Sequence, residues 1–257
     1  MEEHLVRFSG RIFFTVFVFF LGFFAGSFLV LFQVRAMAAE GSRWDEPEAV
    51  DSGSLKESGE TGTGTAEEKF WFETLLVNAQ HPFEGPAPSL ETVEGSYQLD
   101  ACAAQALKEM LEAGRAQGLK LKICSAYRSR ERQSSLFEKK VQQYLAAGWT
   151  ESSAREEAAQ TVARPGTSEH ETGLAVDLVS EDYQLLDEGQ ERTKEQQWLM
   201  ENCSNYGFIL RYPTGKTDIT GIIYEPWHYR YVGVRIAREI MDQGICLEEY
   251  LKEQEDR

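Results

Sequence analysis

The feature that most constrains this chain is a stretch near its N-terminus, from Ile12 to Phe32, that contains no charged residue. It is dense in Phe, Val and Leu, and about 20 such residues cross the hydrocarbon core of a bilayer as a helix. A cleaved signal peptide is the alternative, because Ala36-Met37-Ala38 is similar to a small-residue cleavage site. The apolar part of a signal peptide usually has about 7–15 residues, so the length favours an uncleaved anchor.

The charges around this stretch favour an N-terminus inside the cell. Arg7 and Arg11 precede the stretch, and Arg35 and Arg43 follow it, with acidic residues soon after. Basic residues tend to stay on the cytoplasmic side of a membrane. We therefore predict a short cytoplasmic N-terminus over residues 1–11 and a single transmembrane anchor over 12–32. Whether it is an anchor or a signal peptide, the rest of the chain lies outside the cytoplasm.

The segment after the anchor differs in composition from the rest of the chain. Residues 33–66 are rich in Gly, Ser, Thr and Glu and lack apolar periodicity, which predicts a flexible linker. The folded domain is predicted over residues 67–257. The net charge of −16 argues against a nucleic-acid partner, since phosphate binding needs clustered Lys and Arg. We expect a monomer.

Apolar spacing predicts both helices and strands in this domain. The predicted helices are Asp100–Ala113, Ser129–Ala147, a segment starting at Thr150, Thr193–Tyr206 and Val234–Gln243. The predicted strands are Trp71–Val77, Leu119–Cys124, Leu174–Val179, and a region bracketed by Gly221–Tyr224 and Tyr229–Val232. The two types do not alternate regularly, which indicates an α+β fold rather than a doubly wound sheet.

The four cysteines, Cys102, Cys124, Cys203 and Cys246, contain no Cys-x-x-Cys pair, so they do not indicate a cysteine-rich zinc site. A location outside the cytoplasm permits disulfides. Pairing Cys102 with Cys124 and Cys203 with Cys246 would join neighbouring elements. Buried free thiols are an equally good expectation.

Two of the four histidines lie in unusual surroundings. His170 precedes an apolar strand, Leu-Ala-Val-Asp-Leu-Val, that carries Asp177, and a buried carboxylate is costly unless it is paired or bound to metal. Glu225 and His228 lie three residues apart among aromatic residues that exclude water. Two imidazoles and one carboxylate form a three-ligand zinc set with a fourth position for water. A neighbouring carboxylate can then take a proton from that water.

The pattern Ser-x-His-x-x-Gly-x-Ala-x-Asp, followed by Glu-x-x-His, resembles the VanY-type D-alanyl-D-alanine carboxypeptidases, a group that includes the L,D-carboxypeptidases of peptidoglycan. The stretches that also match are Ser125-Ala-Tyr-Arg-Ser129, Tyr206-Gly-Phe-Ile-Leu-Arg-Tyr-Pro213 and Glu225-Pro-Trp-His-Tyr-Arg-Tyr-Val-Gly233. The resemblance covers roughly residues 70–252. It implies a small antiparallel sheet flanked by helices, the fold shared with the hedgehog signalling domains. Ala126 departs from the pattern, because a glycine is common at its position.

The resemblance also implies roles for the catalytic residues. His170, Asp177 and His228 would bind one zinc ion per chain, and Glu225 would be the general base. Arg128 would polarise the scissile carbonyl and stabilise the oxyanion. The implied reaction removes the C-terminal D-alanine of a peptidoglycan stem peptide, with D,D or L,D specificity left open.

The remaining implied roles concern the substrate. Gln133, Ser168 and Tyr212 would hold the peptide, the two hydroxyls taking its terminal carboxylate, and Trp227 would wall the pocket. The charged helical insertion over 141–164 either shapes one rim of the cleft or is a solvated excursion. An endopeptidase that cuts cross-bridges, or a non-catalytic zinc-containing wall-binding domain, are the alternatives to a carboxypeptidase.

Overall fold

The computed structural model describes residues 74–256, which form two antiparallel sheets with helices around them. The strands are β1 Leu90–Glu94, β2 Tyr97–Asp100, β3 Leu121–Ser125, β4 Ala175–Ser180, β5 Phe208–Leu210 and β6 His228–Tyr231. β1 and β2 pair as a hairpin, and the other four form a sheet in the order β3-β4-β6-β5. The expected α+β fold with a small antiparallel sheet is confirmed.

The helices connect and follow the strands along the chain. They are α1 Ala101–Ala116, α2 Arg130–Ala146, α3 Glu151–Ala158, α4 Lys194–Asn202, α5 Thr217–Thr220, α6 Val234–Gln243 and α7 Leu247–Glu255. Short 3-10 turns occupy Glu169–Thr172, Glu188–Arg192 and Cys203–Tyr206. The predicted helices are present.

Side-chain caps fix where several helices begin. The side chains of Asp100, Ser129 and Thr150 accept hydrogen bonds from backbone N–H groups in the first turns of α1, α2 and α3. Capping the free N–H groups of a first turn stabilises a helix by about 1 kcal/mol. The helical start predicted at Thr150 agrees with this cap of α3.

The main hydrophobic core lies between α1 and the four-stranded sheet. Leu107 and Met110 on one face of α1 are fully buried, and they belong to the same cluster as Ile123 of β3 and Leu178 of β4. Every residue of β4 is buried, which is typical of a central strand covered on both faces. A second cluster packs α6 and α7 against the sheet edge at β5. The core therefore holds β4 and its neighbour β6 rigidly.

One strand prediction is wrong, and another is confirmed only in part, because β6 His228–Tyr231 matches the predicted segment Tyr229–Val232. Residues 74–77 form no strand; Val77 is nevertheless buried, and the Leu75 carbonyl accepts a hydrogen bond of 2.7 Å from Nη2 of Arg230. Residues 221–224 also lie outside any strand, because they follow the tight turn that ends α5. Side-chain anchoring and a turn replace sheet pairing in these segments.

The suggested disulfides are not formed. None of the four cysteines, all of which lie in the described residues, forms a disulfide, and Cys203 packs as a small apolar side chain inside the main core. Cys246 caps α7: its side chain accepts from the backbone of Glu249, and its N–H donates to the Glu249 carboxylate at 2.9 Å. Cys203 therefore serves packing and Cys246 serves capping.

The N-terminal predictions fall outside this structure. The anchor over 12–32, the linker over 33–66 and the start of the domain at residue 67 all precede the described residues. Between residues 74 and 256, no helix is both long and apolar enough to cross a bilayer.

Candidate metal centre

Strand pairing brings two of the candidate ligands together. β4 and β6 run antiparallel, and Asp177 lies directly opposite His228 in their register. On the other side of β4, Asp177 pairs with Ser125 at the end of β3. Side chains at opposed positions on neighbouring strands lie about 4.5–5.5 Å apart at their Cβ atoms. The sheet itself therefore sets the separation of the carboxylate and the imidazole.

His170 reaches the same place from the 3-10 turn that precedes β4. The turn ends at Gly173, which has a φ of 73°, and a Cβ atom there would lie 2.8 Å from the backbone nitrogen of Asp100. Only glycine combines this left-handed conformation with so close an approach. The turn places the His170 ring perpendicular to the His228 ring, with 4.9 Å between their centroids.

Each histidine turns one ring nitrogen towards Asp177. Nε2 of His170 lies 3.3 Å from Oδ2 of Asp177, and Nδ1 of His228 lies 3.1 Å from Oδ1. The opposite nitrogen of His170, Nδ1, is 2.7 Å from the Ala126 carbonyl oxygen and donates to it. That hydrogen bond leaves the Nε2 lone pair of His170 available for a metal.

The three side chains fit a metal ion. One donor atom from each of His170, Asp177 and His228 lies within 4.8 Å of the others, and all three residues are buried. In the described part of the chain, Nε2 of His170 and Oδ1 of Asp177 are buried without any hydrogen-bond partner. Buried polar atoms without partners are rare and costly. A zinc ion bound by such atoms would satisfy them, and imidazole and carboxylate groups are among its usual donors.

Without metal, the two histidines differ in charge. Burial lowers the pKa of His170 to about 4, with the Arg128 guanidinium adding to the effect. Burial also disfavours a charged His228, but the carboxylates of Asp177 and Glu169 outweigh it and raise the pKa to about 9. At neutral pH His170 is therefore neutral, whereas His228 carries a proton that a metal ion must displace.

The apparent zinc affinity should fall as the pH is lowered. Because the His228 pKa is about 9 in the metal-free protein, each zinc ion bound below that pH releases one proton. We expect a loss of about tenfold per pH unit between pH 8 and pH 6 from this proton. Competition with a chromophoric chelator across this range measures the slope, and an affinity that does not change with pH would contradict this assignment.

Glu225 lies beside the candidate ligands. Its Oε2 is 3.8 Å from Nδ1 of His228, the nitrogen that faces Asp177. Burial, reinforced by the negative charges of Asp177 and Glu169, raises the pKa of Glu225 to about 8. A carboxylate with a pKa near neutrality can both accept and return a proton.

Arg128 is held at the centre by three side chains. Its guanidinium donates to Ser125 Oγ at 2.7 Å, to Gln133 Oε1 at 3.0 Å and to Asp177 Oδ2 at 2.9 Å. Its side chain keeps 15% of its surface exposed, so solvent or a substrate can reach the cation. Gln133 is fully buried and donates from Nε2 to the Ala163 carbonyl at 2.7 Å. The end of the 141–164 insertion is thereby connected to Arg128.

Tyr212 also lies at the centre, with its ring 4.8 Å from that of His228. Burial raises the pKa of its hydroxyl, which therefore stays protonated and able to donate. Ser168 and Trp227 directly flank the segments that carry the histidines, and both are buried. The structure thus brings Arg128, Gln133 and Tyr212 to the ligands, whereas Ser168 and Trp227 are near them along the chain.

Sequence reasoning missed a buried ionic cluster behind His228. Oε1 of Glu169 accepts from Arg211 and from Arg230, each at 2.8 Å, and Glu248 binds Arg211 through both carboxylate oxygens at 2.7 and 2.9 Å. Burial alone would raise the pKa of Glu169, but the two guanidinium groups hold it well below its usual range. Arg211 and Arg230 each interrupt an apolar, aromatic run, the same signal that singled out Asp177.

Comparison with known families gives a consistent result. The family model VanY, D-alanyl-D-alanine carboxypeptidase, matches residues 96–234, a range that contains every residue of the centre described above except Glu248. A D-alanyl-D-alanine carboxypeptidase of Enterococcus faecalis is 39% identical over 241 residues, covering 93% of this chain and 86% of that protein.

Solved structures extend this similarity. VanYB in complex with D-alanine-D-alanine is 42% identical, with a TM-score of 0.65, over 70% of this chain and 98% of that one. A mutant of the vancomycin-resistance D,D-pentapeptidase VanY, in complex with Zn(II), is 40% identical, with a TM-score of 0.64, over 70% and 99%. The LdcB LD-carboxypeptidase is 37% identical, with a TM-score of 0.58, over 69% and 84%.

Proposed function

This chain belongs to the VanY family of D-alanyl-D-alanine carboxypeptidases, and from that premise we propose that it hydrolyses the C-terminal D-alanine from peptidoglycan stem peptides. It is a zinc-dependent metallo-carboxypeptidase. The observation that carries the proposal is the convergence of unpartnered, buried donor atoms from His170 and Asp177 beside His228, next to a protonatable Glu225. D-alanine-D-alanine bound to VanYB supports the substrate class.

The proposed ligands are His170 through Nε2, Asp177 through its carboxylate and His228 through Nδ1. These are the atoms that face one another, whereas the opposite ring nitrogens face protein acceptors. The chemistry supplied by zinc at such a site is Lewis acidity, which makes water nucleophilic at neutral pH and polarises a carbonyl.

Glu225 is the proposed proton carrier. It takes a proton from the attacking water and returns it to the amine that leaves as D-alanine. Its position beside Nδ1 of His228 places the carboxylate at the face where ligand atoms converge. Burial raises its pKa to about 8 in the metal-free protein, and a cation bound beside it would lower that pKa and favour the carboxylate that accepts a proton.

Arg128 is the proposed oxyanion partner. A fixed cation is most useful where negative charge develops in the transition state, because no reorganisation is needed during the reaction. The hydrogen bonds from Arg128 to Ser125, Gln133 and Asp177 fix it before the substrate arrives. Gln133 uses both ends of its amide within the protein, so we propose that it acts on the peptide through Arg128.

Ser168, Tyr212 and Trp227 are the proposed substrate-pocket residues. Hydroxyl groups of Ser168 and Tyr212 would donate to the terminal carboxylate of the peptide, and Trp227 would wall the pocket. The buried, protonated hydroxyl of Tyr212 next to His228 supports this role. A pocket that recognises a free carboxylate favours a carboxypeptidase over an endopeptidase.

Replacing Tyr212 with phenylalanine should weaken substrate binding more than turnover. A hydrogen bond to a charged group contributes about 1.5–3 kcal/mol, so KM should rise by about tenfold or more while kcat changes little. Steady-state release of D-alanine from a pentapeptide measures both constants. A fall in kcat at unchanged KM would contradict carboxylate binding by Tyr212.

Mass spectrometry of purified muropeptides incubated with the full-length chain tests the proposed function. Loss of one alanine from pentapeptides indicates D,D activity, and loss of one alanine from tetrapeptides indicates the L,D activity named for LdcB. Cleavage of cross-linked dimers without alanine release would replace the proposal with the endopeptidase. Unchanged muropeptides in the presence of zinc would favour a non-catalytic wall-binding domain.

We also propose that the enzyme is a single-pass membrane protein with its catalytic domain outside the cytoplasm. The uncharged stretch from Ile12 to Phe32 and the polar segment over 33–66 support an anchor and a tether. Such an arrangement places the domain beside the peptidoglycan. Protease treatment of intact protoplasts should remove the domain, and full protection would contradict this topology.

A further inference from the structure

We propose that Glu169 is a positioning residue for His228: its carboxylate accepts the Nε2–H of that ring and so directs the Nδ1 lone pair to the zinc. The proposal rests on the zinc site and not on the choice of substrate. Glu169 precedes a metal ligand in the chain, but its side chain points into the buried ionic cluster behind the centre.

The two atoms that would form this hydrogen bond face each other. Oε2 of Glu169 lies 3.5 Å from Nε2 of His228, and both atoms are buried. Across the described residues, neither atom has any other hydrogen-bond partner. An N–H···O bond spans about 2.7–3.2 Å, so a movement of about half an ångström would satisfy both. Two unpartnered buried atoms at this separation are best explained as one pair.

The other oxygen of Glu169 fixes the direction of the carboxylate. Oε1 accepts from Nε of Arg211 and from Nη1 of Arg230, both at 2.8 Å, and Glu248 holds Arg211 from its far side. Two guanidinium groups and two carboxylates balance the buried charge. Glu169 is therefore an anchored anion that can only accept a hydrogen bond from the imidazole, which selects the Nε2–H tautomer of His228.

One short turn would then orient both histidines. His170 is fixed through the hydrogen bond from Nδ1 to the Ala126 carbonyl at 2.7 Å. Its chain neighbour Glu169 would fix His228, which lies in strand β6. Carboxylates and carbonyls that accept from metal-binding histidines set the ring orientation and raise the basicity of the ligand. The carboxylate partner makes His228 the more basic of the two ligands.

The variant Glu169→Gln tests this role through metal affinity. Removing such a partner typically costs about 10–100-fold in metal affinity, and we expect a fall in this range in competition with a chromophoric zinc chelator. Glu171→Gln is the matched control, because Glu171 lies in the same turn but binds Arg130 and the Gly166 N–H. An unchanged affinity in Glu169→Gln would overturn the proposal.

A second control separates positioning from stability of the cluster. Glu248→Gln loosens the same ionic cluster, because Glu248 holds Arg211, but its carboxylate does not contact His228. We expect Glu248→Gln to lower the thermal stability and to keep the zinc affinity. Equal losses of zinc affinity in Glu169→Gln and Glu248→Gln would show that Glu169 acts only through the fold.

Nuclear magnetic resonance of the unmutated chain keeps the proposal testable if Glu169→Gln does not fold. In full-length, zinc-loaded protein with ¹⁵N-labelled histidine, we expect His228 to carry its proton on Nε2 and to bind metal through Nδ1. A proton on Nδ1 would overturn the proposal. Neither measurement needs a substrate, so a failure of the proposed carboxypeptidase activity would be recognised separately.

Discussion

Glutamine in place of Glu225 abolishes turnover and leaves zinc in place: this is the largest effect that we expect on the chemical step. Glutamine has the same shape but cannot take a proton from water. General acid–base catalysis contributes about 10²–10⁴-fold, so the rate of D-alanine release should fall by at least this range. Zinc content of the purified variant, measured by atomic absorption, should equal that of the unmutated protein.

The stability of Glu225→Gln provides the control. With the pKa of Glu225 raised to about 8 by burial, the folded metal-free protein keeps a proton that the unfolded chain releases near pH 4.5. Stability contributed by this group therefore declines as the pH rises between these values. Glutamine does not titrate, so the variant should match the unmutated protein near pH 4.5 and exceed it near pH 8. Retained turnover would exclude Glu225 as the base.

Replacing Asp177 with asparagine should abolish turnover for a different reason, the loss of zinc. The neutral amide is a poor zinc ligand. Its NH₂ group cannot accept hydrogen bonds, so it cannot replace the carboxylate oxygen in the contacts that Asp177 makes with Arg128 and the histidines. Breaking a buried ion pair by removing one partner costs about 3–5 kcal/mol. We therefore expect lower thermal stability of the metal-free variant together with loss of stoichiometric zinc.

Asp182→Asn is the matched control for this change. Asp182 lies just beyond the end of β4, and its exposed carboxylate binds Lys120 at 2.9 Å. Pairs of exposed charges contribute little to stability, so Asp182→Asn should keep zinc, turnover and thermal stability. Stoichiometric zinc in Asp177→Asn would mean that the carboxylate is not a ligand.

The sequence predicted the candidate ligands because burying charge is costly. Asp177 in an apolar strand is conspicuous for this reason. The chain has only four histidines, and His170 and His228 are the two that lie in unusual surroundings, so they became the candidate ligands. Arg211 and Arg230 interrupt apolar, aromatic runs and carry the same signal. The buried cluster around Glu169 was therefore within reach of the same argument.

Other features depended on tertiary context. β1 lacks a regular apolar alternation, β2 has only four residues and β5 only three, so none of them gives a strong strand pattern. The opposition of Asp177 and His228 depends on strand register, which the pattern of a single strand does not fix. Which nitrogen of His228 faces Asp177 depends on Glu169, whose side chain comes from a distant segment.

D-alanine release from one defined stem pentapeptide, measured before and after zinc is removed, tests most directly whether this protein is a zinc carboxypeptidase. We expect the full-length enzyme to release a single D-alanine, to stop when a chelator removes the metal, and to recover with one equivalent of zinc. Mass spectrometry of the peptide identifies the product directly. Two results would contradict a zinc carboxypeptidase centred on His170, Asp177 and His228. One is D-alanine release that continues in zinc-free protein. The other is a zinc-loaded protein that cleaves neither the pentapeptide nor a tetrapeptide.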